Sequence, residues 1–174
     1  MRLTRLSGLM LSAACSSGHS SDAETVRRAA AETDSAFAEV QARGQHAMGV
    51  DQYTSTHVFQ PLPDGGQITL QRDTTDSAGA EQIRQHMQHI ATAFRAGDFS
   101  LPGFVHARNV PGTAVMAAKR QAITYTVEWL PRGAALRLKS TDSSAVQAIH
   151  EFLAFQRADH HAGAHPSRAH SNRR

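Results

Sequence analysis

The chain has one cysteine, Cys15, in 174 residues. No disulfide can close within it, so core packing has to hold it together. Cys15 sits among the first fifteen residues, at a processing signal rather than in the folded body, and thiol catalysis is excluded on that ground. No glycine pattern of a P-loop or of a dinucleotide-binding turn occurs, because the glycines pair at turns instead. The nucleophile-elbow pattern of serine hydrolases is missing as well. No apolar run is long enough to span a bilayer. What remains is ordinary for a globular chain: 40% apolar residues is too many for a disordered one, and the length suits one modest core rather than a two-domain enzyme.

Clustered positive charge is also absent from the body. The formal charge of +3 comes from the two ends: residues 157–174 contribute +3, the first fifteen contribute +2, and residues 16–156 carry −2. Nucleic acid needs Lys and Arg gathered on a folded face, so a nucleic-acid partner is not expected. At the start, Arg2 and Arg5 precede the short apolar run Leu6–Ala14, which ends in small residues before Cys15. That is the order of an export signal. Residues 1–14 are expected as a signal peptide. Lipidation of Cys15 or plain cleavage after Ala14 both fit; Leu11 lies one residue too far from the cysteine for an ideal lipoprotein signal, and a plain disordered leader is the third reading. Either export reading places the protein in the periplasm or on a bacterial outer membrane, with contact to the membrane only through a lipid anchor. Residues 15–21, rich in serine, read as a tether.

Residues 22–45 predict an N-terminal helix: Ser21 and Glu24 form a capping box, Val26, Ala30, Thr33, Phe37 and Val40 recur at helical spacing, and Gly44 suits the stop. Residues 46–156 predict a single α+β domain. Tyr53, Ser55, His57 and Phe59 alternate on one strand face, Pro63-Asp64-Gly65-Gly66 turns the chain, and Ile68 and Leu70 mark the return strand. A helix follows, capped at Asp76 or Ser77, with the stripe Ile83, Met87, Ile90 and Phe94, ending at Gly97. Residues 98–112 read as irregular, and Pro111 opens a short helix through Met116 and Lys119. Ile123, Tyr125, Val127 and Trp129 alternate in a third strand. Pro131-Arg132-Gly133 turns into a fourth with Leu136 and Leu138. A last helix over 143–156 buries Val146, Ile149, Phe152 and Leu153. Residues 157–174 read as a disordered His- and Arg-rich tail.

The run from Leu62 to Leu70 echoes the run from Leu130 to Leu138 at a constant offset of 68. Each is preceded by a strand and followed by an amphipathic helix. One hairpin and one helix cannot hide an apolar face alone. Two such units predict a four-stranded antiparallel sheet with helices packed on one face, plus the N-terminal helix.

Histidine is in excess, at 11 residues. His160, His161, His165 and His170 fall in the expected tail. On the first core helix, His86 lies about 60° from Ile83, at the edge of the buried stripe, and His89 about 120° away, toward solvent. His150 borders the stripe of the last helix, His57 shares a strand face with Phe59, and His106 lies in the crossover segment. Taken singly, each is explained as a hydrogen-bonded boundary residue. Together, one strand, two helices and one crossover each offer an imidazole. The expectation is a transition-metal site, copper before zinc, formed by His57, His86, His106 and His150, with Met48, Asp51 and His89 behind them. The alternatives are a small-molecule or enzymatic pocket in the same cleft, using His57, Asp51 and His106, or an envelope protein with no site.

From His46 on, the chain resembles a family of small exported bacterial proteins of uncharacterised function. The resemblance is carried by His46-Ala47-Met48-Gly49-Val50-Asp51-Gln52, Thr56-His57, Asp64-Gly65-Gly66, Ile83-Arg84-Gln85-His86, Gly97-Asp98-Phe99, Pro102, His106, Pro111-Gly112, Leu130-Pro131-Arg132-Gly133, Ala148-Ile149-His150-Glu151-Phe152-Leu153 and Phe155-Gln156. It spans residues 46–161 and implies export but no established chemistry. Some members bear the name aspartate carbamoyltransferase. That activity needs a Ser-Thr-Arg-Thr phosphate loop at a helix start, and the nearest string here, Thr54-Ser55-Thr56-His57, lies on a strand and lacks the arginine.

Overall fold

Two tight hairpins carry the fold. β1 (Ser55–Leu62) pairs antiparallel with β2 (Gly65–Arg72) around Pro63-Asp64, and β3 (Thr124–Leu130) pairs with β4 (Gly133–Lys139) around Pro131-Arg132. The return strands β2 and β4 lie side by side, giving the order β1-β2-β4-β3. In this computed structural model residues 19–49 and 51–161 are described. The expected signal peptide, Cys15, most of the tether and the tail beyond residue 161 lie outside the described residues.

One row across the sheet shows how alternation makes the core. Phe59, Ile68, Leu136 and Val127 stand in register on the inner face. Gln60, Gln67, Arg137 and Thr126, one residue along, form the outer row, and none of the four is fully buried. An antiparallel sheet can leave one face to water in this way. The inner face is covered by α2 (Ser77–Ala96) and α5 (Ser143–Asp159). Asp76 caps α2 by accepting from the Gly79 amide at 3.0 Å, and Asp142 caps α5 by accepting from Ser144 and Ala145. Ile83, Met87, Ile90 and Phe94 of α2 and Ile149, Phe152 and Leu153 of α5 are all buried. The chain thus adopts the expected α+β architecture.

The repeat is a structural one. Every β3–β4 pair has a β1–β2 counterpart at the offset of 68: Leu130 with Gly133 matches Leu62 with Gly65, and Val127 with Leu136 matches Phe59 with Ile68. Across the centre, Ile68 pairs with Leu136, its own mate. A pseudo-two-fold axis therefore passes between these two residues. The helices start one after the other's pattern too, with Asp76 matching Asp142 at an offset of 66. The units are crossed: α2 packs on β3 and β4, whereas α5 packs on β1 and β2. Matched polar contacts hold the crossing. Arg84 donates from Nη2 to the Leu130 carbonyl at 2.8 Å, and its mate His150 donates from Nε2 to the Leu62 carbonyl at 2.9 Å.

Four local features differ from the sequence expectation. The N-terminal helix α1 runs from His19 to Met48 and passes through Gly44. Gly44 is buried and lines the cavity described below, and it does not stop the helix. Side chains from Asp22 to Ser35 are all exposed, including Val26 of the expected stripe; burial begins only at Val40, Gln41 and Gly44. The described chain divides into two compact units at Ser35–Ala36. Within the segment expected to be irregular, α3 (Ser100–His106) forms a short helix entered through Asp98, whose side chain accepts from the Ser100 amide at 2.8 Å. α4 (Thr113–Ala118) follows Pro111 as expected and buries Met116. Tyr53 belongs to a 3-10 turn rather than to β1, and is exposed. Finally, α5 continues past Gln156 to Asp159, followed by a turn at His160 and His161.

Candidate functional site

A cavity of about 90 Å³ opens where the second half of α1, α2, α3, α5 and the inner face of β1–β2 meet. Its walls are mainly apolar: Met48 from α1, Phe59, Ile68 and Leu70 from the sheet, Met87, Ile90 and Phe94 from α2, Val105 from α3 and Phe152 from α5. Four imidazoles interrupt them. His57, His86 and His106 were expected together and do share this wall; the fourth is His160. His150 is elsewhere, bound to the Leu62 carbonyl. Its place is explained by the repeat, because it stands where Arg84 stands and makes the equivalent tie to the opposite hairpin. We expect His150→Ala to cost about 1 kcal/mol in urea unfolding and to leave any binding in the cavity unchanged. Arg84→Ala should cost more, since Arg84 also reaches the Gly133 and Pro131 carbonyls.

The imidazoles are not equivalent. Burial pushes the His86 ring down to about 4, helped by its neighbour His89 and opposed by a hydrogen bond with the Ala47 backbone. Burial pushes His160 further, to about 3, with the rings of His57, His106 and His161 adding to the effect. Both are neutral near pH 7. His160 meets His57 with ring centroids 5.4 Å apart, Phe59 at 5.5 Å and His106 edge-on at 5.0 Å. Its Nδ1 is buried and has no hydrogen-bond partner. His106, by contrast, is committed on both sides: Nδ1 donates to Asp159 Oδ2 at 2.5 Å, and Nε2 meets the Gln156 side-chain amide at 2.9 Å. Asp159 also pairs with Arg108.

Of the three residues expected behind the histidines, only Met48 lines the cavity. Asp51 anchors the loop before β1. Its carboxylate accepts from the Tyr53 amide at 2.8 Å, and its carbonyl accepts from Ser55 Oγ and Arg72 Nη1. His89 is exposed on α2. Among the described residues, no group of three or more His, Cys, Asp or Glu side chains is placed to hold a metal ion. No described helix is long and apolar enough to cross a membrane.

The pseudo-two-fold shows what the fold requires at these positions. His57 has Tyr125 as its mate, and His160 has Phe94. In the second half Phe94 and Tyr125 pack edge-to-face at 5.9 Å within the core. In the first half the same two positions carry imidazoles beside a void. The fold accepts a phenylalanine and a tyrosine at these places, the Tyr125 hydroxyl being buried without a hydrogen-bond partner as His160 Nδ1 is. The sequence expectation put His160 in the tail; the structure corrects this, because α5 runs to Asp159 and sets His160 as far from its cap Asp142 as Phe94 is from Asp76. Comparison with protein-family models, with curated proteins and with solved structures finds no match.

Proposed function

We propose that the protein is a binding module for a small, neutral, largely apolar molecule that carries one hydrogen-bonding group. The observation that carries this reading is the buried, unpartnered His160 Nδ1 beside an otherwise apolar cavity. A buried polar atom without a partner costs about 1–3 kcal/mol, and a ligand hydroxyl or amine removes that cost. An apolar void of 150 Å³ is known to accept benzene, so the enclosed 90 Å³ holds about four non-hydrogen atoms, and the rest of a larger ligand lies in the cavity mouth. A cationic ligand is disfavoured, because burial already holds the His86 and His160 rings in their neutral form.

Binding rather than turnover fits the wall chemistry. Among the described residues, those lining the cavity include no serine, threonine, cysteine or lysine to act as a nucleophile, and Asp159, which bonds His106, is also held by Arg108. Read with the leader expected at residues 1–14, this is an exported module of the periplasm or of a lipid-anchored envelope protein. Titrating phenol and cyclohexanol into the full chain, followed by two-dimensional amide NMR, tests the reading. Saturable shifts at Met48, His86 and Val105, with a dissociation constant on the order of 0.1 mM, support it; no saturable shift with either compound sinks it. Copper and zinc titrations on the same sample measure the metal alternative. One-to-one ion binding that is lost in His160→Ala would move the site to that class.

A further inference from the structure

We infer that the cavity takes a single planar aromatic ring, seated between His86 and His160 and bonded through a hydroxyl or amine to His160. This rests on the binding reading above and names its ligand class. The pseudo-two-fold supplies the evidence. In the second half of the molecule the chain after α2 folds back and lays Phe99 on Phe94, ring centroids 4.4 Å apart and planes 23° from parallel. Phe99 also meets Phe152 edge-on, at 6.4 Å and 70°. The helix offset of 66 carries Phe94 to His160 and carries Phe152 back to His86. Both mates line the cavity. The position filled by an aromatic side chain in one half is thus bounded, in the other, by the two imidazoles at the void.

The remaining walls suit a flat guest. His57 and Phe59 lie within 28° of parallel to His160, and His106 stands perpendicular to it at 86°. Offset-stacked and edge-to-face contacts of this kind favour an aromatic ring over a saturated ring of equal size, by about three- to tenfold in affinity. The exchange of two phenylalanines for two histidines then distinguishes a guest from a built-in side chain. Phe99 meets the phenylalanine rings of Phe94 and Phe152, whereas a guest at the matching place meets the unpartnered Nδ1 of His160.

The test uses the full chain with phenol, cyclohexanol and benzene as probes. The expected result is one-to-one binding of phenol, three- to tenfold tighter than cyclohexanol and tighter than benzene, with nuclear Overhauser effects from the phenol ring protons to the His86 and His160 rings. The unaltered protein supplies that readout, so it does not depend on a variant folding. In His160→Phe, checked for folding by its amide spectrum, phenol binding should fall at least tenfold. Equal or tighter binding of cyclohexanol overturns the aromatic assignment while leaving the binding reading in place. Binding of no probe sinks both. Overhauser effects from His86 and His160 to residues 162–174 in the probe-free protein would assign the place to the chain's own tail and overturn the inference.

Discussion

Gly133→Ala is expected to lose at least about 3 kcal/mol of folding stability, a large part of the roughly 5–15 kcal/mol that holds an ordinary small domain folded. A Cβ at Gly133 would lie 2.1 Å from the Leu70 carbonyl oxygen and 3.0 Å from Gln71 Cα. Both obstacles are backbone of β2, the neighbouring central strand, so no side-chain rotation relieves them. Gly65, the mate of Gly133, meets the mate of that carbonyl: its Cβ would stand 2.2 Å from Leu138 oxygen, and its φ of +136° is open to glycine alone. The two glycines let β2 and β4 close against each other at both ends of the centre of the sheet. Gly65→Ala should therefore match or exceed the loss at Gly133. Gly103 provides the control. A Cβ there meets only the Arg108 oxygen at 3.9 Å, and the residue is helical, so Gly103→Ala should change stability by no more than about 1 kcal/mol, upward. Urea unfolding followed by circular dichroism separates the three, and a Gly133→Ala protein within 1 kcal/mol of the parent would contradict the geometry.

The same two glycines show why the fold was readable and the site only in part. Pro63-Asp64-Gly65-Gly66 and Pro131-Arg132-Gly133 announce two turns of one type. Strict alternation around them fixes which side of each strand goes inward, so sheet and helices follow from local pattern. Strand order and helix crossing are long-range properties, yet the offset of 68 brings them close, because equal units in one sheet need a two-fold. The site is less legible. His57, His86 and His106 are recognisable as imidazoles at the margin of apolar faces. His150 has the same signature and a different task, since sequence position does not reveal that its mate Arg84 ties to a carbonyl of the facing hairpin. His160 failed to stand out for the opposite reason: with Arg157, His161 and Gly163 around it, its neighbourhood looks like solvent-exposed tail. Only the tertiary stack on His57 and Phe59 shows that α5 has one more turn to bury. The thin, alanine-rich stripe of Val26, Ala30 and Thr33 predicts a helix that packs weakly, and the side chains from Asp22 to Ser35 are exposed.

Acidification from pH 7 to pH 5 is expected to lower folding stability by about 2–4 kcal/mol, and replacing His160 by phenylalanine should remove about half of that loss. The unfolded chain binds a proton at each histidine near pH 6.5, while the folded chain holds His86 neutral down to about 4 and His160 down to about 3. The unfolded state therefore carries more protons throughout this window. Stability is complete above about pH 7 and declines as pH falls through 6.5, at up to about 1.4 kcal/mol per unit for each ring. The two helix-capping carboxylates do not confuse the measurement. The Gly79 amide holds Asp76, and Lys119 with the Ala145 amide holds Asp142, below the usual carboxylate range, so both titrate below this window. Phenylalanine is the informative replacement because the repeat already places Phe94 at the matching position. It removes a titrating ring and the unpartnered Nδ1 while keeping a planar side chain against His57 and Phe59. His160→Phe should thus be more stable than the parent at pH 7 and show roughly half its acid sensitivity between pH 7 and 5. Urea midpoints at pH 7, 6 and 5 for both proteins measure this. An unchanged slope in the variant would mean that His160 takes up its proton in the folded protein as readily as in the unfolded chain, contrary to its place in the cavity wall.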